Sequence, residues 1–293
     1  MQYLILGANG YVGSYLFRRM EEDGKAVFGT GHKRTGSDKL VYFDFEKDDL
    51  DAVISKISDT EKTAIICIAE SNIDRCYEHY DQAYQVNVIR MKTVIHTLIE
   101  NGFHVIYFSS DNVFDGKDGN YTEESPTSAI NEYGKMKAEM EAYLLKNEPE
   151  VCIFRISKVV SSENQKQNVF TEWENKINDG KIYCIRGNTI SFIYIEDIYQ
   201  ASLLVAEKKL AGLYNIVGDE AYSRKELAEK YYHMAEVQGM EIIECGVDHF
   251  PFKDARRPLN VSMSNQKFKE ETGYKFTSMD EVIRRYIENY QMR

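Results

Sequence analysis

The chain is poor in the residues that mark unusual protein classes. Only four prolines and one tryptophan occur in 293 residues, and no low-complexity run or internal repeat is present, so a flexible linker or tail is not expected. Cysteine is scarce: Cys67, Cys76, Cys152, Cys184 and Cys245 are odd in number and widely spaced, with no C-x-x-C pair. That pattern reads as reduced thiols, not a disulfide frame or zinc site, and Cys67 and Cys152 fall in strand-like runs as small core residues. The six histidines show no metal-ligand spacing, and no structural metal is expected. No stretch approaches the roughly 20 apolar residues a membrane helix needs. The opening MQYLILGANG lacks the basic segment and apolar length of a signal peptide, so a cytoplasmic location is expected. Positive charge is also in deficit, 36 Lys and Arg against 47 Asp and Glu, a net charge of −11. Nucleic acid and anionic membrane are therefore excluded as main partners, although a locally basic pocket for phosphates stays open.

What remains is ordinary globular material, 43% hydrophobic and 28% charged. It suits one large α/β unit, or a nucleotide-binding domain with a smaller lobe. Short apolar runs alternate with amphipathic stretches. Strands are expected at YLILG (3–7), AVFGT (26–30), LVYFD (40–44), TAIICIA (63–69), HVIYFSS (104–110) and VCIFRIS (151–157). Helices are expected over about 12–22, 48–57, 81–101 and 131–147, the third stopping at Asn101-Gly102. Continuous Val/Ile/Leu runs are typical of strands buried on both faces. The alternation predicts α/β architecture: a doubly wound parallel sheet of the Rossmann kind, binding ligands at the strands' carboxyl ends.

Beyond residue 158 the alternation weakens. Residues 158–188 read as polar and helical, SFIYIED (191–197) as a return toward the main sheet, and GLYNIV (212–217) as another sheet strand. Helix-like segments come next at 223–236 and 278–290. The expected organisation is a nucleotide-binding domain over 1–157 with return elements at about 189–217. A smaller substrate lobe is expected from about 158–188 and 218–293, interleaved in sequence.

Gly7-Ala8-Asn9-Gly10-Tyr11-Val12-Gly13 comes directly after the first strand and opens the first helix. Glycines let the backbone turn tightly and approach a pyrophosphate, whose charge the helix N-terminal N–H groups stabilise. A glycine trio alone also occurs in plain turns, but strand before and helix after is the context of a dinucleotide site. About twenty residues on, an acid would hold the ribose 2′-hydroxyl of NAD, and a base the 2′-phosphate of NADP. The chain reads Thr30-Gly31-His32-Lys33-Arg34 with no acid until Asp38. This favours NADP over NAD, with Lys33 or Arg34 against the phosphate; an exposed basic loop is the alternative. Asp44 is placed to meet the adenine amino group or to cap the helix expected at 48–57. Ala69, closing the fourth strand, joins the expected cofactor contacts.

Tyr133 and Lys137 stand at i, i+4 on one helical face. A free tyrosine titrates near ~10, too high for proton transfer at neutral pH. A neighbouring ammonium stabilises the phenolate and lowers that value, and can also donate to a nicotinamide ribose. Ser110 ends a parallel strand, where its hydroxyl would hold a substrate carbonyl. On a helix surface Y-x-x-x-K is common and usually solvated. With the glycine cradle and the strand-end serine it reads as catalytic.

Taken together, GANGYVG, AESNIDRC with the later Val86-Asn87, FSSDNVFDG (108–116), YGKMKAE (133–139), FRIS (154–157), FIYIED (192–197), GLYNIVG and RRPLNVSMSNQKF (256–268) resemble the extended short-chain dehydrogenases/reductases. The similarity is to the dTDP-4-dehydrorhamnose reductase branch, nearly end to end. The resemblance implies reduction of a 4-keto group on a nucleotide-linked deoxysugar by NADPH or NADH. Ser110 would orient the carbonyl, Tyr133 donate the proton and Lys137 tune Tyr133. It also implies a homodimer packed through the helix carrying the Tyr-Lys pair.

Three positions depart from the branch. Ser110 replaces the usual threonine and keeps the hydroxyl. Asn112 stands for a common tyrosine, and Lys158-Val159-Val160-Ser161 for an aromatic followed later by glycine. Lys158 either meets a more anionic or differently shaped substrate or points to solvent. Asn112, Lys158, Arg257 and Asn260 are candidate substrate contacts. Arg256, Arg257 and Asn260 would grip a phosphate or the sugar edge, or form surface ion pairs. Asn87 is read as supporting backbone and Trp173 as core. Two rivals remain. A nucleotide-sugar epimerase would recycle its cofactor, and a non-catalytic NADP-binding regulatory protein would not turn over. The dehydratase variant is disfavoured because Asp111 is followed by Asn112 instead of Glu.

Overall fold

The computed structural model describes residues 1–32, 38–58, 61–165 and 167–291. The apolar runs form seven strands: β1 Gln2–Leu6, β2 Ala26–Gly31, β3 Leu40–Tyr42, β4 Lys62–Ile66, β5 Phe103–Ser110, β6 Cys152–Ile156 and β7 Gly212–Ile216. They join in one sheet, ordered β7-β6-β5-β4-β1-β2-β3, and the β1–β2, β1–β4, β2–β3 and β4–β5 pairings are parallel. Parallel neighbours need crossovers, supplied by helices such as α1 Tyr11–Glu22, α2 Met91–Glu100, α3 Glu132–Asn147 and α4 Ile195–Lys208. The expected doubly wound α/β sheet is present. Its centre is dry: Leu4, Ile5, Leu6, Ala64, Ile65 and Ile106 are all fully buried, each large aliphatic one worth about 1.5–3 kcal/mol over exposure. Strand order reverses beside β1 and β4, which opens a crevice at their carboxyl ends.

Several expected elements take a different form. The helix expected at 81–101 is Tyr80–Tyr84, then a wide π-helical turn at Gln85–Arg90, then α2. The helix expected at 48–57 shrinks to Asp51–Ile54. SFIYIED does not return to the main sheet as a strand. Ile193–Tyr194 pairs with Val159–Val160 apart from it, and α4 starts at Ile195 with Glu196 and Asp197 in its first turn, where acids suit the helix dipole. Residues 158–188 are not mainly helical: Lys181–Ile185 is a strand beside Glu241–Cys245. The alternating burial of Lys181–Ile185 is the signature of a half-covered strand.

By contacts the chain clusters into two compact units. One comprises Met1–Ser109, Lys135–Phe154 and Tyr199–Leu213; the other comprises Ser110–Gly134, Arg155–Ile198 and Tyr214–Arg293. The second unit thus takes in Ser110–Gly134, which the sequence placed with the nucleotide-binding domain. The second unit has an aromatic core of Phe170, Trp173, Tyr231 and Tyr286, with Trp173 only 1% exposed. Among the described residues, no helix is long and apolar enough to cross a membrane.

Candidate active site

The glycine segment closes over the end of β1. Gly7 takes φ +91°, and its Cα packs against the backbone of Cys67, so that a Cβ would meet the Cys67 carbonyl at 3.3 Å and the Ile68 side chain at 2.8 Å. A Cβ on Gly13 would stand 2.3 Å from the Gly7 carbonyl oxygen, so only glycine lets α1 begin this close to the strand end. The turn is pinned by Ala8 N–H donating to the Thr30 carbonyl at 2.7 Å and Gly7 N–H to Thr30 Oγ1 at 3.2 Å. Gly10 is the N-cap of α1 and no acid lies in its first turn. The N–H groups of Tyr11, Val12 and Gly13 therefore sit where a helix has no internal acceptors, and the arrangement fits an anionic pyrophosphate.

Ala69 lies three residues past β4 and is half-buried. The next residue, Glu70, is clamped by Asn87 from the π-helical turn: Asn87 Oδ1 accepts the Glu70 N–H and Nδ2 donates to the Glu70 carbonyl, both at 2.9 Å. Asn87 thus supports backbone, as its position suggested. Asp44 does not cap a helix. Its carboxylate accepts Glu46 N–H at 3.1 Å and pairs with Lys47 at 3.1 Å, and the Lys47 bond holds it below the usual carboxylate range. Lys33 and Arg34 lie outside the described residues.

Helix α3 carries the reactive pair in its first two turns. Lys137 is 2% exposed; its Nζ donates to the Phe108 carbonyl at 2.7 Å and the Tyr107 hydroxyl at 3.0 Å. Burial brings its pKa down to about 7, against the opposing pull of Glu141 and Cys76. One turn further, Glu141 accepts from Ser109 Oγ at 2.5 Å, so α3 is stitched to β5 at two levels. Tyr133 is buried at the start of the same helix.

The end of β5 brings Ser110 and Asn112 together with Asp111 and Asn131, the last of which the sequence did not single out. Ser110 Oγ donates to Asp111 Oδ1 at 3.0 Å and accepts the Asn112 N–H at 3.2 Å. Asp111 is 6% exposed, and burial raises its pKa to about 6 although Ser110, Asn112 and Lys158 oppose this. Asn112 Nδ2 donates to Asp111 Oδ1 at 2.9 Å, and Asn112 Oδ1 accepts from Asn131 Nδ2 at 3.0 Å. Asn131 Oδ1 in turn accepts the Gly134 N–H at 2.8 Å, the bond of an N-cap on α3. An asparagine three residues before that amide is the signal that sequence inspection could have used. Arg256 bonds Asp254 at 2.8 and 3.0 Å and Glu132, in the first turn of α3, at 3.1 Å; it forms ion pairs.

The candidate substrate contacts fare unequally. Lys158 reaches solvent; the protein packed around it and then Arg224 depress its pKa, with Glu172 and Asp111 acting the other way. Arg257 lies over the Phe252 ring at 4.3 Å. Asn260 is tied to its own surroundings: Nδ2 donates to the Asp118 carbonyl at 3.4 Å and Oδ1 accepts from Ser262 Oγ at 2.8 Å. All five cysteines are free. Among the described residues, no group of three or more His, Cys, Asp or Glu is placed to hold a metal.

A doubly wound sheet with a glycine cradle after β1, a hydroxyl residue ending β5 and Tyr-x-x-x-Lys on α3 is the pattern of the extended short-chain dehydrogenase/reductase class. Within that class, the chain belongs to the RmlD substrate binding domain family, whose model matches residues 1–292. It is similar to the probable low-salt glycan biosynthesis reductase Agl14 of Haloferax volcanii, 23% identical over 281 residues and 93% of each chain. It is also similar to methionine adenosyltransferase 2 subunit beta of Xenopus tropicalis, 27% identical over 237 residues, covering 76% of this chain and 69% of that one. Among solved structures, the dTDP-4-dehydrorhamnose reductase of Bacillus anthracis in complex with NADP shares the fold. Its TM-score is 0.84 at 20% identity, over 98% of this chain and 99% of that chain.

Proposed function

We propose that the chain is an NAD(P)H-dependent reductase of a carbonyl on a nucleotide sugar, with NADP preferred over NAD. The observation that carries this reading is the buried start of α3, where Tyr133 and Lys137 stand one turn apart and Lys137 is oriented by β5. The backbone of Gly7, Gly10, Tyr11, Val12 and Gly13 would hold the cofactor pyrophosphate. Lys33 or Arg34 would meet the 2′-phosphate, with Asp44 and Ala69 flanking the rest. When bound, the cofactor supplies the hydride. Tyr133 gives its hydroxyl proton to the carbonyl oxygen, and the Lys137 ammonium stabilises the phenolate left behind. Ser110 orients the carbonyl, and Lys158 with Arg257 faces the nucleotide sugar. The similarity to Agl14 and to an NADP-bound reductase supports the reading.

The test is NADPH consumption against a panel of nucleotide sugars, alongside Tyr133→Phe. Stoichiometric cofactor loss, abolished in Tyr133→Phe while NADPH binding persists, is expected. Product without net cofactor loss would indicate an epimerase. The similarity to methionine adenosyltransferase 2 subunit beta favours one further reading, a partner subunit that binds NADP without turnover. Under that reading NADPH raises the melting temperature and no nucleotide sugar does.

A further inference from the structure

The hydrogen bonds that end β5 and begin α3 form one chain with a single sense. The Gly134 backbone N–H can only donate, so Asn131 must present Oδ1 to it. Asn131 then offers Nδ2, which donates to Asn112 Oδ1 at 3.0 Å and to the Arg256 carbonyl at 3.2 Å. Asn112 is left with Nδ2 facing Asp111 Oδ1 at 2.9 Å and Ser110 Oγ at 3.4 Å. Each carboxamide is therefore fixed in orientation by the one before it, and the sequence ends on the Asp111 carboxylate, which also accepts the hydrogen bond donated by Ser110 Oγ. Asn131 is 0% exposed, so a broken link would leave a polar group without water to replace its partner. The backbone enforces the same contact: a Cβ on Gly134 would lie 2.0 Å from the Asn112 carbonyl oxygen.

We propose that Asn112 is a positioning residue and not a substrate contact: with Asn131 it locks the strand end bearing Ser110 to the helix start bearing Tyr133. Both donors of its amide already face Ser110 and Asp111, and its oxygen faces Asn131. The proposal rests on Ser110 and Tyr133 acting together on one carbonyl, as in the reductase reading. It adds that their separation is set by side chains that never touch the substrate.

The decisive variants are Asn112→Ala and Asn131→Asp. Asn131→Asp keeps an oxygen for the Gly134 N–H, and with it the helix cap, but loses the donor to Asn112. Each should lower kcat by about 10- to 100-fold, the scale of a 1 Å misplacement, with KM for the nucleotide sugar within about twofold. The double variant should fall no further than the worse single one, because both cut the same link. A raised KM with kcat preserved would make Asn112 a substrate contact, and multiplying losses would make the residues independent; either overturns the proposal. Hydrogen exchange separates this failure from failure of the reductase reading. Asn112→Ala should speed exchange across residues 132–136 whether or not the wild type turns over a sugar. Unchanged exchange there refutes the link.

Discussion

Substituting Gly134 by alanine tests the geometry at the start of α3 most directly. The new Cβ would be built 2.0 Å from the Asn112 carbonyl oxygen, with the Ala129 methyl at 3.1 Å on another side. Non-bonded heavy atoms settle near 3.5 Å, so the helix start and residue 112 must separate by about 1.5 Å. Two effects on stability oppose each other. Alanine favours a helix interior by about 1 kcal/mol over glycine, whereas overpacking costs typically 1–3 kcal/mol. The clashing atom is a main-chain oxygen that cannot swing aside, so the cost lies at the upper end of that range and the melting temperature should drop by several degrees. Turnover has no such compensation. Tyr133 is the preceding residue, and a displacement of about 1 Å costs about 10²-fold, or roughly 2.7 kcal/mol of transition-state stabilisation. Steady-state NADPH consumption with a nucleotide-sugar substrate, read beside a thermal melt, separates the two. A Gly134→Ala protein with wild-type kcat/KM refutes the reasoning, since the contact would then be relieved without moving Tyr133.

Three further outcomes are expected. Gly13→Ala places a Cβ 2.3 Å from the Gly7 carbonyl oxygen and should weaken NADPH binding at least about tenfold; unaltered affinity in a fluorescence titration would move the pyrophosphate elsewhere. Lys137, brought to about 7 by burial, carries a charge at low pH that disfavours the folded state. Its contribution to stability should rise as pH increases from about 7 toward the ordinary lysine value of about 10.4, while turnover falls as the ammonium is lost. The buried thiols Cys76 and Cys184, which burial pushes up to about 12 and about 11, give the opposite trend in stability. Lys137→Met should remove the rising component, seen in denaturant titrations as a pH-dependent difference from the wild type. Asp111 runs the other way: with its pKa raised to about 6, its stabilising contribution is complete below about 3.9 and is lost as pH climbs through about 6. Asp111→Asn should flatten the dependence in that window, and a persisting slope would assign it to another group.

The local features were legible from the chain itself. Runs such as YLILG and HVIYFSS announce buried strands because both faces are covered, and the three glycines of the cradle fall within seven residues between a strand and a helix. Tyr133 and Lys137 stand out by helical spacing read together with the glycine cradle and the strand-end Ser110. What escaped is non-local or breaks a period. Asn112 and Asn131 are separated by 19 positions, and no spacing rule ties two asparagines across a loop. The π-helical turn at Gln85–Arg90 hides within apolar periodicity that continues on both sides. Lys181–Ile185 alternates in burial, yet its polar flanks mask the strand. Asp44 looked like a cap because the helix after it was read as longer than Asp51–Ile54.

The π-helical turn also constrains how this protein can change in length. Each residue added to or removed from a helix rotates the remainder of that helix by about 100°. A π turn holds roughly one residue more than an α turn, so deleting one residue from Gln85–Arg90 would regularise the helix and leave Met91, Val94, Ile95 and Leu98, now buried, on the core face. Moving Asn87 would at the same time release both backbone bonds to Glu70. Homologues with a single-residue gap in this helix should therefore place it within Gln85–Arg90. A chain redesigned to remove the turn would need no compensating insertion before Met91; what it would lose is the Asn87 clamp on Glu70, so the irregular segment spends one extra residue to aim that side chain.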